Sequence, residues 1–218
     1  MRKLLVLAEG PTEERFVKEA LNPHLQPLQI FLQPVIVATK RVNAGGKFKG
    51  GVPSYEKVRK EVLRLLGDSS AVIVTTMLDF YGLPESFPGR ANPQGGTPLE
   101  RASYVEKAWS ADVANARFRP YLSLHEFEAL LFVNPKEITQ GFSRPELLPQ
   151  VERIRQAFPT PEDINDHPET APSARLRKLF PRYSKPFFGT LISRRIGLAD
   201  MRAECKHFGE WLKALEAL

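Results

Sequence analysis

Apolar residues fall into strand-length runs that stop at an acid, and the first run sets the pattern. Leu4-Leu-Val-Leu-Ala8 is followed at once by Glu9-Gly10 and then Pro11-Thr12. This predicts a buried strand that turns directly into a helix, with Glu9 at the carboxyl end of the strand. In open α/β sheets ligands bind at that edge. Glu9, Glu13 and Glu14 equally suit the first turn of a helix, where acids complement the dipole, so position alone leaves both readings open. The helix, predicted over about 13–21, is expected to break at Asn22-Pro23, and the alternating stretch 31–39 predicts a second strand, parallel to the first.

Further along, Ser54 stands at a cap position, and Tyr55, Val58, Val62, Leu65 and Leu66 recur at helical spacing up to Gly67. The β-branched run Val72-Ile-Val-Thr-Thr-Met-Leu78 predicts a central strand buried on both faces, and it ends in Asp79. If it runs parallel to the first strand, Asp79 and Glu9 emerge on one edge, where two carboxylates repel unless a cation lies between them. Residues 83–97, rich in Pro and Gly, are expected to form a lid beside that edge. Thr97-Pro98 then opens a helix whose apolar stripe is Leu99, Ala102, Val105 and Trp109, which assigns Trp109 to the core.

Residues 118–124 predict a further strand, and Ser123-Leu-His-Glu-Phe-Glu-Ala-Leu-Leu-Phe132 repeats the sequence of strand, acid and helix. Glu126 and Glu128 meet the same edge, but residues two apart point apart on regular backbone. At most one then reaches a common ion unless the backbone bends, and Glu126 is the expected ligand. The pair also suits a helix N-terminus with Phe127, Leu130 and Leu131 as its apolar face, and His125 is expected beside it rather than as a ligand. Residues 134–218 read as helical and proline-punctuated, with helices at 145–158 and 173–180 and two short ones ending in Trp211, Leu212 and Leu215. The expected organisation is an α/β core over 1–133 and a helical C-terminal extension over 134–218 packed on it.

Composition narrows the partners. The 218 residues carry a formal charge of +6 with pI ≈ 9.5, which favours polyanions, nucleic acid first among them. Lys40, Arg41, Lys47 and Lys49 lie among four glycines in 40–51, as in a loop that contacts phosphates or one that is merely soluble. No Walker-type spacing is present. Arg175, Arg177, Lys178, Arg182 and Lys185 form the densest basic cluster, interleaved with Phe180 and Tyr183: either a nucleic-acid surface or a solvated face with its aromatics in the core. The one cysteine, Cys205, allows no internal disulfide and no cysteine-built zinc site. No apolar run approaches the ~18 residues of a membrane span and the start lacks a signal-peptide pattern, so a cytoplasmic, non-membrane protein is expected.

Glu9-Gly-Pro-Thr-Glu13, Asp79 and His125-Glu-Phe-Glu-Ala-Leu-Leu131 resemble the signature of domain-of-unknown-function family 4276, a bacterial family related to Toprim domains. The resemblance implies a Toprim-like open, mainly parallel sheet with helices on both faces. It also implies divalent-metal phosphodiester chemistry like that of overcoming-lysogenization-defect nucleases. Glu9 then matches the Toprim glutamate, Glu13 the second glutamate of a Glu-Gly-x-x-Glu pattern, and Asp79 the first acid of Asp-x-Asp. Tyr81 occupies the place of the second acid, so either Glu126 or Glu128 supplies the lost ligand or the metal site is weakened. Lys185, within Tyr183-Ser-Lys-Pro-Phe-Phe-Gly189, matches a lysine that such nucleases place near the scissile phosphate.

The expectation is a Mg²⁺- or Mn²⁺-dependent nuclease or phosphodiesterase acting on DNA or RNA. Its metal ligands are drawn from Glu9, Glu13, Asp79, Glu126 and Glu128, with Lys185 taking part in catalysis, and an ATPase partner in phage defence is one setting for it. The alternative is a non-catalytic nucleic-acid-binding or ATPase-partner subunit of the same fold.

Overall fold

The computed structural model describes residues 1–37, 52–164, 167 and 169–218, so the cations Lys40, Arg41, Lys47 and Lys49 lie outside the described residues. Five strands are described: β1 (Arg2–Ala8), β2 (Ile30–Ile36), β3 (Ala71–Asp79), β4 (Phe118–Arg119) and β5 (Leu122–Ser123). They form one sheet in the order β2-β1-β3-β4, with β5 also on β3, and every described pairing is parallel. Parallel strands need crossovers, and the helices that supply them bury both faces. Alternate residues go to opposite sides. Leu4, Val6, Ile73 and Met77 pack with Phe16, Leu21, Ile192 and Leu212, whereas Leu5, Leu7, Val74 and Leu78 pack with Val58, Val62, Val105 and Trp109. The chain is therefore α/β, with an open parallel sheet and helices on both faces.

The expected break at Asn22-Pro23 does not occur. The helix Pro11–Phe16 continues through a π turn (Val17–Leu21), an α turn (Asn22–Leu25) and a 3₁₀ turn (Gln26–Leu28). A widened turn makes room where the proline ring would strike the carbonyl four residues back. Asn22 serves a second purpose. Its Nδ2 donates to the Leu32 carbonyl at 2.9 Å and its Oδ1 accepts from the Leu32 amide at 2.8 Å, which satisfies the outer edge of β2.

The single strand expected over 118–124 is instead two short pieces on successive parts of β3, because Pro120 has no amide hydrogen. Thr76 closes the gap: its Oγ1 donates to the Tyr121 carbonyl at 2.7 Å and accepts from the Tyr121 amide at 2.9 Å. The segment expected as a lid is anchored at its start, since Leu83 and Phe87 are buried in the core beside Trp109. The helix after it begins at Thr97-Pro98 as predicted, and Glu100 completes a capping box with Thr97.

Helices Thr190–Ile196, Leu198–Glu204 and Lys206–Glu216 cover the first face. Trp211 in the last of them stacks on Tyr121 with ring centres 4.4 Å apart and donates from Nε1 to Thr75 Oγ1 at 3.0 Å, a buried bond joining the C-terminal helix to the central strand. Trp211→Phe should cost about 1–2 kcal/mol in urea unfolding because Thr75 loses its partner, and adding Thr75→Val should recover part of that. Strict additivity of the two changes would show that this bond does not couple helix to sheet.

Candidate active site at the carboxyl edge of the sheet

β1 and β3 run side by side, so the residues that follow them arrive together. The Glu9 amide extends the ladder by donating to Met77 O at 3.1 Å, and the Glu9 side chain accepts from the Asp79 amide at 3.0 Å. Asp79 Oδ1 in turn accepts from the Phe127 amide at 3.1 Å. Glu126 Oε2 accepts from the Ser173 amide at 2.8 Å, and its Oε1 from the Ser173 hydroxyl at 3.0 Å. Glu13 Oε2 closes back onto the Gly10 amide at 2.9 Å. Each acid thus fastens a backbone amide, in three cases one belonging to a distant part of the chain.

The cleft over this edge, about 790 Å³, is lined by Glu9, Glu13, Asp79 and Glu126 together with Tyr81, Ser173, Arg177 and Lys185. Tyr81 therefore faces the space where the resemblance implies a second acid. Glu128 does not line it. Extended backbone at Glu126 passes into a 3₁₀ helix over Phe127–Val133, and that bend carries both glutamates toward Lys185 although they are two residues apart. Glu128 ends fully buried, accepting from the Tyr183 hydroxyl at 2.9 Å and from Lys185 Nζ at 3.0 Å.

The sequence profile of DUF4276, a domain of unknown function, matches residues 8–216. The chain belongs to this family. No curated protein matches it. Among solved structures, the C-terminal region of the Burkholderia pseudomallei OLD protein is similar at 15% identity over 99% of each chain, with a TM-score of 0.47.

In this DUF4276 chain the basic residues divide. Arg177 lines the cleft and donates from Nη2 to Ser173 Oγ at 2.9 Å. Lys178 and Arg182 are exposed outside it. Arg175 turns away, donating to the Thr170 carbonyl at 2.6 Å and lying 5.3 Å over the Phe158 ring. The interleaved aromatics offer no stacking platform: Phe180 is core, and Tyr183 spends its hydroxyl on Glu128. Ser173 and the Tyr183 hydroxyl were not among the expected site residues. A serine directly after Ala171-Pro172 at a helix start is the signal for the first, but nothing local marks the second.

Electrostatics single out three acids. Burial pushes the Glu13 carboxyl up to about 8, aided by the charges of Glu9 and Glu128. Glu9 is raised mainly by desolvation, against the Asp79 amide and Lys185, and Asp79 is raised well above its ordinary value by burial and then by Glu9 and Glu13. Burial would depress the Lys185 ammonium, yet Glu128, Glu126 and Asp79 hold it above its usual range.

Hard carboxylate oxygens short of positive charge suit Mg²⁺ or Mn²⁺ by chemistry. As folded, no three His, Cys, Asp or Glu among the described residues stand together as a ready metal cage. One oxygen of each of Glu9, Glu13 and Asp79 accepts from a backbone amide.

A carboxyl whose folded pKa lies above its unfolded value binds more protons folded than unfolded between the two, so stability falls as pH rises through that window. For Glu13 the window runs from 4.5 to about 8. Metal-free protein should lose thermal stability across it, and millimolar Mn²⁺ should remove much of the loss. Glu162 and His207 are shifted with the same sign of effect elsewhere in the fold, so the Mn²⁺-dependent part is the part that reports the cleft. Melting curves that ignore Mn²⁺ at pH 8 would mean the acids do not share a cation.

Proposed function

We propose that this DUF4276 protein is a divalent-metal-dependent nuclease or phosphodiesterase acting on DNA or RNA, in the cytoplasm, with Mg²⁺ or Mn²⁺ as cofactor. The observation that supports it is one cleft lined by Glu9, Glu13, Asp79 and Glu126 with Arg177 and Lys185. Glu9 and Asp79 would hold the ion, with Glu13 and Glu126 alongside. Such an ion supplies Lewis-acid polarisation of a phosphoryl oxygen and a lowered pKa for water.

The chain's own groups do the rest. Arg177 and Lys185 offer cations to the phosphates of a bound strand, and the exposed Lys178 and Arg182 extend the positive surface outward. Glu13, whose carboxyl burial pushes up, would give up its proton more readily with a divalent ion beside it. Among the described residues no helix is long and apolar enough to cross a membrane.

A second reading is a non-catalytic nucleic-acid-binding subunit, or one that works with an ATPase partner in phage defence. Tyr81 at the cleft, in place of an acid, is the observation that favours it.

Metal ligands that also stabilise transition-state charge affect turnover more than binding. Glu9→Gln and Asp79→Asn should each lower Mn²⁺-dependent cleavage about a hundredfold or more while leaving strand affinity nearly unchanged. Tyr81→Asp should tighten Mn²⁺ binding. Affinity should also fall steeply with salt, and charge reversal at Arg177, Lys178 and Arg182 should flatten that dependence by about one counterion per phosphate lost. A wild type inert on single- and double-stranded DNA and RNA with either metal, with and without an ATPase partner, would favour the second reading.

A further inference from the structure

The two halves of the cleft are not equally short of positive charge. Lys185 Nζ lies 2.9 Å from Glu128 and 3.8 Å from Glu126, inside ion-pair distance of both. The Tyr183 hydroxyl braces Glu128 from the other side at 2.9 Å. The turn that carries Lys185 is fixed by close approach at Gly189, where a Cβ would stand 3.3 Å from the Phe127 ring and 3.4 Å from the Thr12 methyl. A side chain there would require Phe127 to give by a few tenths of an ångström. Across the cleft, Glu9, Glu13 and Asp79 form no ion pair among the described residues.

We propose that Lys185 is the resident cation of the Glu126–Glu128 half, so that the cleft takes one divalent ion, on the Glu9–Asp79 side, rather than two. This rests on the metal-dependent reading above and specifies its stoichiometry. Like charges repel steeply at low dielectric, so a second dication beside a buried ammonium is opposed unless the lysine leaves. Glu128 is poorly placed to join an ion in the cleft, since it is fully buried with its oxygens bonded to Tyr183 and Lys185. Tyr183 then acts as a positioning residue, through Glu128, on Lys185.

The test is a Mn²⁺ titration of the full chain followed by electron paramagnetic resonance, without substrate, so that no turnover is needed. The wild type should bind one Mn²⁺, Glu9→Gln should lose it, and Lys185→Met should admit a second. Lys185→Arg keeps the charge and should stay at one; should Lys185→Met fail to fold by circular dichroism, Lys185→Gln removes the same charge with a polar side chain and should admit the second ion. Two ions on the wild type, or one on folded Lys185→Met, overturns the inference and leaves the metal-dependent reading standing. No ion on the wild type overturns both.

Discussion

Carboxylates that accept hydrogen bonds from backbone amides hold the working edge of this fold together. The end of β1 grips the end of β3 through Glu9, the end of β3 grips the turn after β5 through Asp79, and Glu126 grips the start of the helix Pro172–Leu179 through Ser173. The same side chains that line the cleft are therefore the ones that bring its walls together. The arrangement has a physical consequence, because a carboxylate is the stronger acceptor in these bonds but the costlier group to bury. Burial and mutual repulsion win at Glu13 and Asp79, whose protons are held far above the ordinary range. A fold that concentrates acids in this way favours positive charge beside them.

Part of that charge comes from within. Lys185 reaches the site from the C-terminal half of the chain, and the helices that follow it share a core with β1 and β3 through Ile192, Leu212 and Trp211. Chemistry and packing thus depend on one another across the sequence. The face of the sheet that these helices cover carries Leu4, Val6, Ile73 and Met77, and the cleft opens at the end of those same strands.

Much of this was legible in the residues themselves. Apolar runs ending in Glu9 and Asp79 located the two central strands, because a parallel sheet buried on both faces leaves runs of that kind. The helical spacing at Val58, Val62 and Leu65 and the Thr97-Pro98 start were equally plain, since caps and periodicity are local signals. Prolines misled. Pro23 breaks a helix by rule, but a π turn absorbed it, and Pro120 split a strand whose missing bonds Thr76 replaces from another strand. The bond from Tyr183 to Glu128 spans 55 residues and leaves no local pattern at all. The basic cluster is a middle case: composition found the charges, but only packing shows that Arg177 faces the cleft while Arg175 lies against Phe158.

The central claim is that the acids at the ends of β1 and β3 form a cation site. It is tested most directly by anomalous diffraction from crystals of the protein soaked in Mn²⁺. The account predicts a single peak in the cleft against Glu9 and Asp79, with the Lys185 ammonium still seated on Glu128. A cleft without a peak at saturating Mn²⁺, or Mn²⁺ bound only at sites remote from Glu9, would contradict it.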